Sequence, residues 1–345
     1  MIKNLLQQGF ALKNKGYYKQ AIEVFYKALE LDNSSEELLM EIAELYYKLG
    51  NEEKALNYLE QILDSTPNHI GALKLLKQIF LNKNALAEAE QTAKNIYCIS
   101  HNTNDLAEIF ELLNLQGKQD EIFEYKIEDF NIDIVYELAK AYYCKKEFLK
   151  AQNLIEQNIE NNICNQDLLF LLVQILFAQN KKEECIKLLP QLKEDCSNPE
   201  LLNFRGLIED YKENYAEACS FFREAIKLEP QNDKFYYNIA NSCFKNGEKK
   251  LAKKYYNTAI SLAPGNLSYQ FALANFYYAE KLYKRALEFL PEDFFEAKIL
   301  KIIILYETGY FAFAQKELNK MLIKYPNNII LKEYSIKIKE KLGIS

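Results

Sequence analysis

Residues Lys15–Asp32 read KGYYKQAIEVFYKALELD. Gly16 separates two apolar-periodic runs. Before it, Leu5, Leu6, Phe10 and Leu12 share a face; after it, Ala21, Ile22, Phe25, Ala28 and Leu29 do. Both runs follow the spacing of an amphipathic helix. Glycine enters the left-handed conformation without steric cost, so Gly16 ends the first helix and lets the second begin. The stretch reads as the turn and second helix of a helical hairpin.

The hairpin recurs along the chain. Ala21, Ala55 and Ala89 are 34 residues apart, as are Ala151 and Cys185, and Ala218, Ala252 and Ala286. Gly50, Gly117, Gly247 and Gly309 take the place of Gly16, and Asn84 and Asn180 stand there in two other units. A small residue also returns inside the first helix, at Gly9, Ala43, Ala139, Gly206, Ala240 and Ala274. Small side chains at both places let the two helices approach closely. Pro67, Pro230, Pro264 and Pro326 close units by stopping the second helix. A period in this range marks a solenoid of stacked hairpins, each unit touching only its neighbours.

Departures from the period define the organisation. Residues 1–103 form regular repeats, and 104–131 form a short degenerate repeat that keeps Gly117 but has Ile122 in the alanine position. Repeats resume over 132–328, with one shortened near 267–294, where Leu290-Pro291 cuts into its second helix. Pro190 falls midway through another second helix, which it should kink or end. Residues 329–345 read as a capping helix, with Ile330, Tyr334 and Ile338 on the inner face and Lys332, Glu333, Lys337, Lys339, Glu340 and Lys341 outside. No Gly/Ser/Pro-rich linker interrupts the array, so 1–345 is expected to form a single all-α solenoid.

Composition narrows the function classes. The formal net charge is -6 and the sequence pI about 5.4. That balance disfavours a nucleic-acid partner, which requires a dense basic surface. Seven cysteines are scattered at Cys98, Cys144, Cys164, Cys185, Cys196, Cys219 and Cys243, with no C-x-x-C pair. They read as structural thiols in a reducing, cytoplasmic compartment, Cys185 acting as a small buried hydrophobe in the repeat-alanine position. Met1–Asn4 leads into the first helix without a secretory pattern. No apolar run approaches the roughly 20 residues of a membrane span.

No catalytic constellation is legible. His69 and His101 lie in loops between units and read as solvated turn residues, with no metal site implied. Phosphate-binding, dinucleotide and nucleophile-elbow motifs are absent from the sequence. Paired carboxylates such as Glu36-Glu37 and Glu183-Glu184 sit at helix starts, where they favour the helix dipole. Arg205 lies four residues before Glu209, within helix-pair reach, and reads as an arginine knitting adjacent helices and not as an anion site. The expectation is a non-enzyme without cofactors.

The stretch Lys15–Asp32 and the unit Pro199–Asn232 resemble the tetratricopeptide repeat, and the likeness extends over the whole chain in about ten units. The resemblance implies a right-handed superhelix whose first helices line a concave surface. It places Tyr237, Asn238 and Asn241 of one unit and Phe271, Asn275 and Tyr278 of the next on that surface. Lys234 and Lys245 would add positive charge at its edge. Asparagine amides carry both donors and an acceptor, and aromatic rings give large rigid contact area. These six residues are therefore the candidate site for a protein or peptide segment. Asn241 and Asn275 are expected to be surface amides whose removal leaves stability unchanged. The chaperone-tail clamp of some family members is poorly matched, since Asn203, Leu207 and Ser268 stand where its cations would be. The reading is a non-catalytic scaffold or adaptor; the alternative is a recruiting subunit acting in trans for an enzyme such as a glycosyltransferase.

Overall fold

The protein is described by a computed structural model covering residues 2–32, 35–127, 129–160, 165–193 and 197–343. Among these residues the secondary structure is helical throughout, without strands. The chain divides into two compact units, residues 1–184 and 185–345.

The first unit is a succession of hairpins. They are α1 (Ile2–Asn14) with α2 (Tyr18–Leu29), α3 (Glu36–Lys48) with α4 (Glu52–Ser65), and α5 (Ile70–Asn82) with α6 (Leu86–Ser100). Then follow α7 (Thr103–Leu115) with α8 (Gln119–Ile122), α9 (Ile132–Cys144) with α10 (Phe148–Glu160), and α11 (Gln166–Ala178). The division between units falls within α12 (Lys182–Leu188). The second unit continues with α13 (Pro199–Tyr211) and α14 (Tyr215–Leu228), α15 (Asp233–Lys245) and α16 (Lys249–Leu262), and α17 (Leu267–Ala279) and α18 (Tyr283–Phe289). It ends with α19 (Phe295–Glu307) and α20 (Phe311–Lys324), followed by α21 (Ile329–Leu342).

The recurrent small residues work as spacers. Ala21, Ala55, Ala89, Ala151, Cys185, Ala218, Ala252 and Ala286 are all fully buried. In the first helices the spacing is tighter still. A Cβ on Gly9 would come within 2.3 Å of the Phe25 ring, and one on Gly206 within 2.6 Å of Phe222. Each glycine thus makes room for a buried ring of its own hairpin. Leu and Ile from successive helices fill the rest of the core, such as Leu38, Ile42 and Leu45 against Phe25.

The turns adopt the left-handed conformation read from the sequence. Gly16, Gly50, Gly117, Gly247 and Gly309 have positive φ, as do Asn84 and Asn180. Helix starts are closed by side chains: Ser35, Asn51, Asn102, Asn131, Asn165, Asn198, Asn232, Asn266 and Asn328 each accept a backbone N–H in the first turn of their helix. His69 does the same through Nδ1, which accepts from Ala72 N at 3.0 Å. It is a cap for α5 and not merely a solvated turn residue. His101 ends α6 with φ 50° and sets its ring edge-on to Tyr97.

Other expectations are corrected. Glu209 is held by Lys212 at 2.8 Å and by Asn214 at 2.7 Å, while Arg205 reaches the carbonyls of Leu192 and Lys193. Arg205 therefore ties α13 to the segment before it. In α21 the buried residues are Leu331 and Ile338, backed by Tyr334 and Leu342; Ile330 is exposed. A one-residue shift of the stripe gives a closer match to the helical period. Cys185, Cys219 and Cys243 are buried and Cys98 and Cys144 exposed; Cys164 and Cys196 lie outside the described residues. Pro190 ends α12 and opens a single 3-10 turn, Leu189–Gln191. No described helix is long and apolar enough to cross a membrane.

Candidate functional site

The six candidate residues belong to the second unit, three on α15 and three on α17, and all are half-buried. Their helices present them because the opposite faces carry the core, Phe235, Ile239, Ala240 and Cys243 on α15 and Leu273, Ala274, Phe276 and Tyr277 on α17. On α15 a hollow of about 240 Å³ opens between Asn238, Asn241 and Phe244 and the preceding first helix, α13, which contributes Leu207 and Asp210.

Much of the polar equipment is already engaged. Asn238 Nδ2 donates to Asn203 Oδ1 at 2.8 Å, linking α15 to α13. The Tyr256 hydroxyl, on α16, donates to Asn241 Oδ1 at 2.6 Å. Burial pushes the Tyr256 phenol well above its ordinary range, so it remains a neutral donor. Asn241 is therefore a structural acceptor as well as a surface amide, contrary to the expectation from sequence. The Tyr278 hydroxyl donates to Glu307 Oε1 at 2.7 Å. Lys245 is bound to Asp210, which also accepts from Ser242 Oγ at 2.5 Å. Lys245 is thus not a free edge charge; Lys234 remains exposed.

What is left over is informative. Asn275 makes no side-chain hydrogen bond among the described residues, nor does the hydroxyl of Tyr237, whose ring stacks on Tyr269 at 4.8 Å. The Asn241 amide keeps its donor, and Asn238 keeps its acceptor. Phe271 packs against Phe294 at 5.1 Å, which gives the α17 side of the face an apolar edge. Donors and acceptors thus alternate beside aromatic rings. Asp210 and Ser242 were not singled out by sequence reading. Their signal was available in principle, because Asp210 lies one repeat before Phe244 and so neighbours it across the stack.

Three stretches match the model of the tetratricopeptide repeat: residues 15–79, 199–232 and 234–266. The chain contains tetratricopeptide repeats. Similar proteins agree. The TPR repeat-containing protein YpiA of Bacillus subtilis is 24% identical over 84% of this chain and 72% of its own length. The TPR repeat-containing protein MJ1428 of Methanocaldococcus jannaschii is 21% identical over 77% of this chain and 51% of its own length. Among solved structures, the APC/C hetero-tetramer Cut9-Hcn1 aligns with a TM-score of 0.56 at 11% identity, over 96% of this chain and 74% of that one. At that identity the likeness concerns the fold.

The first unit carries a contrasting first-helix face. A hollow of about 440 Å³ is bounded by Glu108 and Glu111 on α7, Asp133, Tyr136 and Glu137 on α9, and Asp167 on α11. Burial raises the Glu137 carboxyl above its usual range, although Asn114 Nδ2 donates to it at 2.8 Å. The two units thus carry chemically different first-helix faces: acidic in the first, amide and aromatic in the second. No group of three potential metal ligands occurs among the described residues.

Proposed function

We propose that this chain is a non-catalytic scaffold and that the first-helix face of α13, α15 and α17 holds a peptide segment of its partner. Tetratricopeptide repeats generally mediate protein–protein interactions. The observation that supports this reading is the pair of unengaged polar groups, the Asn275 amide and the Tyr237 hydroxyl, set between half-buried aromatic rings. An amide can give and take a backbone hydrogen bond without reading side-chain identity. Half-exposed rings supply contact area at low entropic cost. The acidic face of the first unit is less suited to a segment of undefined charge, because it repels any acidic one.

The test is partner capture by the full chain carrying Tyr237→Phe with Asn275→Ala. Neither change removes a hydrogen bond that the fold uses. Capture should weaken while the helical signal and melting temperature stay at parental values. Undiminished capture of the same partners would contradict the proposal and direct attention to the acidic face of the first unit.

A further inference from the structure

The repeat of α17 and α18 lacks half of its second helix, and the space is left open. In the same unit α14, α16 and α20 each have 14 residues, whereas α18 has 7. The missing length is about two turns, or about 10 Å of helix. Seven residues beyond the repeat alanine, the regular hairpins bury Ala225, Ala259 and Met321. The corresponding residue here is Asp293, in a turn, with its side chain 96% exposed. The third residue of the following helix is the large Phe235 on α15 and Tyr269 on α17, but Ala297 on α19. Both changes empty the same place. A cavity of about 670 Å³ results, floored by Leu287, Leu290, Ala297, Leu305 and Met321. That volume lies within the range of about 300–1,000 Å³ typical of binding pockets.

The first unit shows what a filled version looks like. There α8 is a single turn, but Phe123 and Tyr125 follow it and pack on Tyr142 and Phe110 at 4.7 and 5.4 Å. The chain plugs its own gap. After α18, in contrast, Phe294 turns away to Phe271, and Phe295 pairs with Tyr325. The rim of the open cavity carries Lys298, Lys301, Lys320 and Lys324 against Glu292, Asp293 and Glu317. Glu317 is shared between Lys320 at 3.0 Å and Lys301 at 3.9 Å, and Lys324 has no ion-pair partner among the described residues. Lys298 lies 3.9 Å from Asp293, so the rim sets four lysines against three carboxylates, an excess of one positive charge.

We propose that this gap is a docking site for a short amphipathic helix of a partner protein, apolar on its inner stripe and acidic on its flanks, which completes the interrupted stack. The length follows from the missing turns, the apolar stripe from the cavity floor and the acidic flanks from the lysine rim. A second copy of this chain fits less well, because its helix α21 is net positive, with Lys332, Lys337, Lys339 and Lys341 against Glu333 and Glu340. The site is separate from the Tyr237–Asn275 face and does not rest on it.

The test uses the full chain and two fluorescent synthetic peptides of about 14 residues, each with a leucine stripe at helical spacing, one flanked by glutamates and the other by lysines. In fluorescence anisotropy the glutamate peptide should bind at least about tenfold more tightly than the lysine peptide. Ala297→Phe, which fills the cavity, should weaken it by a similar factor. The surface pair Lys301→Glu with Lys320→Glu should do the same without touching the core, and Tyr237→Phe with Asn275→Ala should leave it unchanged. Absence of binding, equal binding of both peptides, or binding insensitive to both cavity variants would overturn the proposal. So would binding lost in the Tyr237 and Asn275 variant. Self-association abolished by Ala297→Phe, with no peptide bound, would assign the gap to a second copy and overturn it as well.

Discussion

The Tyr256 hydroxyl donates to Asn241 Oδ1 at 2.6 Å, so the second helix of one repeat fixes an amide on the exposed face of its own first helix. Tyr256 is only 2% exposed, and its hydroxyl has no other hydrogen-bond acceptor among the described residues. Asn241→Ala should therefore cost about 1–3 kcal/mol, the penalty for orphaning a buried donor. Asn275→Ala should stay within about 0.5 kcal/mol of the parent. Urea unfolding measures both. Adding Tyr256→Phe to Asn241→Ala should recover part of the loss, since it removes the stranded hydroxyl.

Ala252→Leu and Ala279→Leu introduce the same bulk in different surroundings. Ala252 is fully buried between α15 and α16, whereas Ala279 is exposed at the end of α17. Overpacking at Ala252 should cost about 1–3 kcal/mol, with Ala279→Leu nearly neutral. Equal shifts in melting temperature would contradict the register of these helices.

Gly206→Ala adds a single methyl group, yet its Cβ would sit 2.6 Å from Phe222, which is itself fully buried. The methyl should lower stability despite the better helix propensity of alanine, by about 1–3 kcal/mol. Gly265→Ala, with nothing within 4 Å, is the control and should not. Thermal unfolding of the two variants makes the comparison.

Glu90 supplies a pH dependence. Burial opposes its ionisation, but Lys118 at 2.7 Å, Lys94 at 2.5 Å and the Gln116 amide outweigh that and hold its carboxyl down at about 2. A depressed carboxyl contributes stability that is present above its unfolded value of about 4.3 and lost as pH falls toward 2. Glu90→Gln should cost about 2 kcal/mol at pH 7, discounted for the partly exposed lysines. The difference from the parent should shrink between about pH 4.5 and 2. A constant difference across that window would contradict the ion-pair account.

The repeat was legible because it rests on local chemistry. Gly9 and Gly206 mark helix contacts, and Gly16, Asn84 and Asn180 mark left-handed turns. The same turn is held by Lys146, Glu213 and Lys281, which carry no such signal; there the hairpin imposes a conformation that the residue does not favour. The cap at His69 was likewise missed, since histidine is a less usual acceptor at a helix start. For the candidate face, sequence located the helices but not the free groups. Which amides are engaged depends on Asn203, one repeat earlier, and on Tyr256, in the partner helix. Neither lies within the local pattern of α15. The open gap after α18 depends in turn on where Phe294 and Phe295 point, which spacing does not determine.

The central claim is that the first-helix face of the second unit receives the partner. A photoactivatable phenylalanine analogue placed at Asn275 tests it most directly, with the same analogue at Leu228, exposed at the end of α14, as the reference position. Irradiation in native extract should give a discrete crosslinked partner from position 275 and none from 228. Crosslinking from 228 with none from 275 would contradict the account.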